Sequence, residues 1–218
     1  MDATGASLHA VSSVHEARVH PVTGQPARER YTDEWIANLL DGDKRFGDAD
    51  PGQMLGNLGV TAGCAVVDYG CGPGLFALAA ARLVGPGGTV YAVDLEPRMV
   101  ELARRRAAEA GLANVRAVPS DGMRAALPDG VADFILCVQI MHYHAKRQDR
   151  VAVARDLRRL LRAEGRVVIM QWSPKRGDTG ISYRALAGIM RDAGLITDGA
   201  HAVTDELYRT LARKPPGD

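Results

Sequence analysis

A chain of 218 residues with 46% hydrophobic and 24% charged residues has the make-up of an ordinary globular protein, long enough to cover both faces of a central sheet in one domain. Its formal net charge of +1 gives the molecule as a whole no pull towards nucleic acid. Cys64, Cys71 and Cys137 lack metal-ligand spacing, the first residues form no leader pattern and no apolar run reaches membrane length, so a cytoplasmic protein without a metal site is expected.

Residues 1 to about 30 hold scattered Gly, Pro and Ser with His9, His15 and His20, and read as a loose arm; the alternative is a lid that orders over a ligand. A helical cap is expected over 31–60. Its first helix starts at Thr32, with Asp33 and Glu34 in the first turn and Trp35, Ile36, Leu39 and Leu40 as an apolar stripe. A second, short helix starts at Asp50-Pro51 and turns Met54, Leu55 and Leu58 inward. The core, 61–214, alternates strands near 65–69, 89–94, 114–118, 132–138 and 165–171 with helices near 75–84, 97–110, 148–162 and 182–193. Such alternation predicts an α/β fold with a parallel sheet, right-handed crossovers and helices on both faces. Residues 195–213 read as two further strands joined near Thr204-Asp205. In helix 148–162, Arg150, Arg155, Arg158, Arg159 and Arg162 alternate with Asp149 and Asp156, which predicts a solvated face.

The chemistry is concentrated where the first strand ends. Ala65-Val66-Val67-Asp68-Tyr69 runs into Gly70-Cys71-Gly72-Pro73-Gly74, and an alanine-rich helix opens at Leu75. Alternating glycines let the backbone turn sharply and approach a ligand without a Cβ in the way. A dinucleotide loop has the spacing G-x-G-x-x-G. Here the spacing is G-x-G-x-G, and Leu75 stands where the third glycine of a dinucleotide loop would be.

These residues resemble motif I of the class I S-adenosylmethionine-dependent methyltransferases, and further landmarks follow in order: Tyr91-Ala92-Val93-Asp94, Pro119-Ser120-Asp121-Gly122, the run Asp133 to His142, and Leu160 to Ile169. The resemblance covers roughly Asp48 to Lys214 and is nearest to small-molecule enzymes of ubiquinone and menaquinone biosynthesis. It implies a Rossmann-like sheet of seven strands, the last antiparallel and next to the fifth. The implied cofactor is S-adenosyl-L-methionine, leaving as S-adenosyl-L-homocysteine. Its binding residues are Asp68, Gly70, Cys71, Gly72, Pro73 and Gly74 in the loop, then Asp94 on the ribose, Leu95 against the adenine, Asp121, Gly122 and Met123 around the adenine edge, and Gln139 beside the methyl group. Candidate general bases are His142 and His144, of which the family register favours His142, and Tyr31 lines the acceptor site from the cap. The acceptor is expected to be a small molecule, with no membrane and no nucleic acid as partner; any lid is small or comes from a second subunit of a homodimer.

Simpler readings stand beside these. Asp94 can be a helix-capping acid before Glu96-Pro97, Asp121 a surface turn, and His142 a structural histidine at a helix start. A methyltransferase acting on RNA or protein, a nicotinamide-dependent oxidoreductase, and a module that holds the cofactor without turnover remain as alternatives. Asp94 does not separate the cofactors, because both carry a ribose.

Overall fold

The computed structural model describes residues 32–40, 50–144 and 146–217. Two helices come first: α1 (Asp33–Leu40) and α2 (Pro51–Asn57). Asp50 caps α2 by accepting a hydrogen bond from the Gln53 N–H at 2.8 Å, and Leu55 is fully buried while Leu58 is 9% exposed.

The core then alternates as β1 (Ala65–Tyr69), α3 (Leu75–Val84), β2 (Thr89–Asp94), α4 (Pro97–Glu109), β3 (Val115–Pro119), β4 (Ala132–Val138), a 3₁₀ turn at Met141–Tyr143, α5 (Arg147–Leu160) and β5 (Leu161–Trp172). A second 3₁₀ segment (Pro174–Thr179), α6 (Tyr183–Asp192), β6 (Ile196–Thr197), β7 (His201–Ala202) and β8 (Leu207–Arg213) complete it. The sheet order is β3-β2-β1-β4-β5-β8-β6, with β7 also on β8. Strands β1 to β5 are mutually parallel, and β8 runs antiparallel beside β5. The chain order reverses between β1 and β4, and open α/β sheets bind ligands outside the strand ends at that point.

The strands read as near-continuous apolar runs because both faces are covered. Val66, Leu136 and Val168 face a cluster under α2 and α3, whereas Val67, Ile135 and Val167 face the one under α5 and α6. Small side chains let α3 lie close to the sheet: Ala77, Ala80 and Ala81 are buried. A Cβ on Gly74 would meet Leu78 Cδ1 at 2.9 Å and Ala103 Cβ at 3.3 Å, so this glycine lets α3 and α4 approach.

Three details depart from the sequence reading. First, the segment expected as one strand after α6 is broken into β6 and β7, both on the same edge of β8, giving eight strands in the sheet. Asp198 explains the break, since its Oδ1 accepts from the Leu211 N–H at 2.8 Å and takes the place of a ladder bond. Second, α5 stops at Leu160 and β5 begins at once with Leu161, which is extended and pairs with Ala132. Gly165 is the residue that fits this part of β5, since a Cβ there would stand 2.9 Å from the Ala132 carbonyl oxygen. Third, α5 does not carry a wholly solvated charged face: Asp156 is 4% exposed and the Arg159 side chain 12%. Among the described residues no helix is long and apolar enough to cross a membrane.

Candidate active site

The strand ends at the reversal point line a cleft that is open to solvent, the place where open α/β sheets hold their ligands. One wall is the loop after β1. Gly70 has φ +80°, and a Cβ on it would lie 2.0 Å from Ile140 Cδ1, so only glycine lets this loop close onto the β4 side. The Gly70 and Cys71 N–H groups donate to the Val93 carbonyl at 2.7 and 2.9 Å, fixing the loop to β2.

Asp94, at the end of β2, is half-buried in the cleft wall. Its Oδ2 accepts from the Gly72 N–H at 2.8 Å and its Oδ1 from the Glu96 N–H at 2.9 Å. It therefore does serve the start of α4, and it also holds the glycine loop while lining the cleft. Burial pushes its carboxyl up to about 6 against the pull of the Glu96 and Gly72 N–H groups.

Asp68 is 2% exposed and lines the floor. Burial is the main force raising its carboxyl to about 7; the Ala77 backbone N–H opposes this and the Asp94 charge adds to it. Its Oδ2 has no hydrogen-bond partner, and neither does the Nε2 of Gln139, which is 4% exposed and lines the same cleft. Gln139 is also the one non-glycine residue with positive φ (+61°) among the described residues. An orphaned buried acceptor, an orphaned buried donor and local backbone strain each cost of order 1–3 kcal/mol. Their meeting at one cleft marks a place shaped for a ligand.

The donor and acceptor chemistry discriminates between cofactors. Two carboxyl groups at the loop suit a ligand that brings positive charge, such as the ammonium and sulfonium of S-adenosylmethionine. They repel a pyrophosphate, which needs N–H donors and a close glycine where Leu75 stands. The residues present fit the methyl donor.

At the far end of the cleft, Leu95 is 37% exposed and Gly122 is packed against it, a Cβ there lying 3.3 Å from Leu95 Cδ2. Gly122 lines the cleft together with Ser120; Asp121 and Met123 do not. The Asp121 Oδ1 accepts from the Met123 and Arg124 N–H groups at 2.8 and 2.6 Å, and the Gly122 N–H donates to Ser120 Oγ at 3.0 Å. The turn thus uses internally the groups expected to read a ring edge. Gly74 stands just outside the lining, while Gly70, Cys71, Gly72 and Pro73 belong to it. Cys71 donates to the Gly72 carbonyl at 3.4 Å and burial pushes its thiol well up, so it is a small filler.

On the β4 side, the 3₁₀ turn presents Tyr143 and His144 to the cleft. His142 is not among the lining residues: its Nδ1 lies 3.4 Å from Gln171 Nε2 and its ring is 3.9 Å from that of Tyr143. Burial lowers the pKa of His144, Asp149 opposes and Arg150 assists, and the His144 carbonyl accepts from Arg150 Nε at 2.6 Å. Tyr31 lies outside the described residues. Sequence reasoning missed Tyr69, Phe76, Ser120, Ile140 and Tyr143 as lining residues. Tyr143 had a signal, since it sits between the two histidines; the others look like ordinary core or turn residues. Among the described residues no group of three or more His, Cys, Asp or Glu could hold a metal.

A family model described as a methyltransferase domain matches residues 66–165. Nocamycin O-methyltransferase of Saccharothrix syringae is 39% identical over 105 residues, 48% of this chain and 36% of that protein. The ubiquinone/menaquinone biosynthesis C-methyltransferase of Azotobacter vinelandii is 32% identical over 158 residues, 71% of this chain and 59% of that one. The chain thus covers less than two thirds of these relatives' length. Among solved structures, a SAM-dependent methyltransferase from Aquifex aeolicus superposes with a TM-score of 0.71 at 26% identity, over 83% of this chain and 98% of that one.

Proposed function

Because this chain carries a class I S-adenosylmethionine-dependent methyltransferase domain resembling the enzymes of ubiquinone and menaquinone biosynthesis, we propose that it methylates a nucleophilic atom of a small molecule by in-line displacement. The observation that carries the reading is the pair of orphaned buried groups, Asp68 Oδ2 and Gln139 Nε2, in the cleft beside Asp94. Asp68 gives the floor an unsatisfied acceptor for a cationic ligand, and Gln139 adds an unpaired donor beside it. The relatives' printed names, an O-methyltransferase and a C-methyltransferase, support a small-molecule acceptor and leave the atom methylated to experiment.

When bound, the cofactor supplies an electrophilic methyl group on a positively charged sulfur. The protein's residues do the rest. Asp94 holds the ribose hydroxyls, Asp68 takes the ammonium of the methionine moiety, and Leu95 with Gly122 flanks the adenine. Gln139 aims its amide at the methyl end. Aligning acceptor and methyl while water is excluded is worth roughly 7–11 kcal/mol of barrier. His144, kept neutral by burial, receives the proton that an acceptor hydroxyl or amine releases. His144 lines the cleft and His142 does not, and this difference favours His144 as the base.

We read residues 31–214 as one functional unit with 31–60 as its cap, working in the cytoplasm, where the free thiols Cys64, Cys71 and Cys137 stay reduced. Calorimetric titration tests the proposal. S-adenosylhomocysteine should bind and NAD should not; binding of NAD alone would overturn it.

A further inference from the structure

The ion pair of α5 lies on the side of the sheet away from α3 and outside the cleft, and the chemistry above makes no use of it. Asp156 and Arg159 are one helical turn apart, joined through Arg159 Nε and Asp156 Oδ1 at 2.7 Å. Burying such a pair is costly, and apolar residues of similar volume serve stability as well or better. Its other contacts are therefore informative.

They lead to the two walls of the cleft. Asp156 Oδ2 accepts from the Tyr69 hydroxyl at 3.2 Å and from the Ala125 N–H at 2.8 Å. Tyr69 is the residue before Gly70, it lines the cleft, and burial followed by the Asp156 charge keeps its phenol protonated and donating. Ala125 ends the turn that carries Ser120 and Gly122, and Ser120 bridges back to Ala125. Arg159 donates to the Ala125 carbonyl at 3.1 Å and to the Leu127 carbonyl at 2.6 Å, and Asp129 closes over it at 2.7 Å. One carboxylate thus ties the root of the glycine loop to the base of the 120–125 turn, and one guanidinium orients that carboxylate.

We propose that Asp156, oriented by Arg159, is a positioning residue that sets the spacing between the glycine-loop wall and the 120–125 wall, and so tunes affinity for the cofactor's nucleoside. The inference rests on the reading of the cleft as a methyl-donor site. A carboxylate is needed because it accepts from a hydroxyl, an amide and a guanidinium at once; an aliphatic side chain would leave the Ala125 N–H unpaired and the Tyr69 phenol with Ser120 alone. The same helix fixes the acceptor side through Arg150 on the His144 carbonyl, which makes α5 the scaffold behind both halves of the cleft.

Calorimetric titration with S-adenosylhomocysteine tests this on the full-length chain. Tyr69→Phe removes one hydroxyl and no backbone contact, and should weaken binding roughly threefold to tenfold. Asp156→Asn keeps acceptor oxygen but loses the charge facing Arg159, and should weaken it roughly tenfold or more. The double variant should lie close to Asp156→Asn alone, because both changes break the one chain that runs from Arg159 through residue 156 to Tyr69. A purely structural ion pair would lower the thermal midpoint of the ligand-free protein and leave the dissociation constant within twofold of wild type; that result overturns the inference. Should Asp156→Asn fail to fold, Tyr69→Phe decides alone. Wild-type protein that binds no S-adenosylhomocysteine overturns the reading of the cleft and this inference with it, whereas tight wild-type binding unchanged in Tyr69→Phe overturns only the inference.

Discussion

The two ends of the cleft are built by different means. The cofactor end is framed by backbone, with the Asp68 and Asp94 carboxyl groups set into it: a glycine loop, amide groups donated to Val93 and Asp94, and a turn closed by Ser120 and Asp121. The acceptor end is made of side chains, Gln139, Ile140, Tyr143 and His144, on a 3₁₀ turn after β4. Backbone geometry demands particular residues at fixed spacing. Side-chain walls can be varied freely while the sheet beneath stays the same, so one scaffold can serve many acceptors.

Changes at the two ends should therefore separate into turnover and affinity. The largest effect is expected for His144→Ala, with turnover falling roughly 100-fold or more and S-adenosylhomocysteine affinity nearly unchanged; steady-state kinetics on an identified acceptor checks this. Equal loss in His142→Ala would blur the distinction drawn from the cleft lining. Asp94→Ala strips the ribose of its acceptor and unties Gly72, and should weaken S-adenosylhomocysteine binding roughly 30- to 100-fold by calorimetry.

Asp68 sharpens the comparison through pH. Its carboxyl is raised from 3.8 to about 7, and that of Asp94 to about 6. With both raised, the ligand-free fold binds more protons than the unfolded chain between these values, so their contribution to stability is present at low pH and lost as pH rises towards 7. Asp68→Asn should then raise the thermal midpoint of the ligand-free protein at pH 8 while weakening S-adenosylmethionine binding roughly tenfold. In the wild type, affinity for this cation should climb from pH 5.5 to 8, because binding favours the ionised carboxylates. A flat profile would place the ammonium away from Asp68. The smallest effect is expected for Gln139→Gly, which relieves the positive φ and should stabilise the fold by about 1 kcal/mol in thermal unfolding while slowing turnover several-fold.

The same division explains what the sequence made legible. The parallel order follows from apolar runs and turn residues and the ligand loop from glycine spacing, all of which are local, whereas the antiparallel β8 beside β5 and the loop's cofactor are expected only from the resemblance to a known family. The break between β6 and β7 depends on Asp198 reaching Leu211 across the sheet edge, and the Leu161–Ala132 pairing depends on a neighbouring strand; neither contact is local. Asp156 and Arg159 looked solvated because charged residues at helical spacing usually are, and only the loop they tie explains their burial. The histidines were found by residue type, but which one faces the cleft is decided by a single 3₁₀ turn.

A crystal structure with S-adenosylhomocysteine bound tests the central claim most directly. The account predicts the ammonium within hydrogen-bond distance of Asp68 Oδ2 and the ribose hydroxyls on Asp94. A nucleoside seated elsewhere, or bound with its ammonium in solvent and Asp68 still unpartnered, would contradict it.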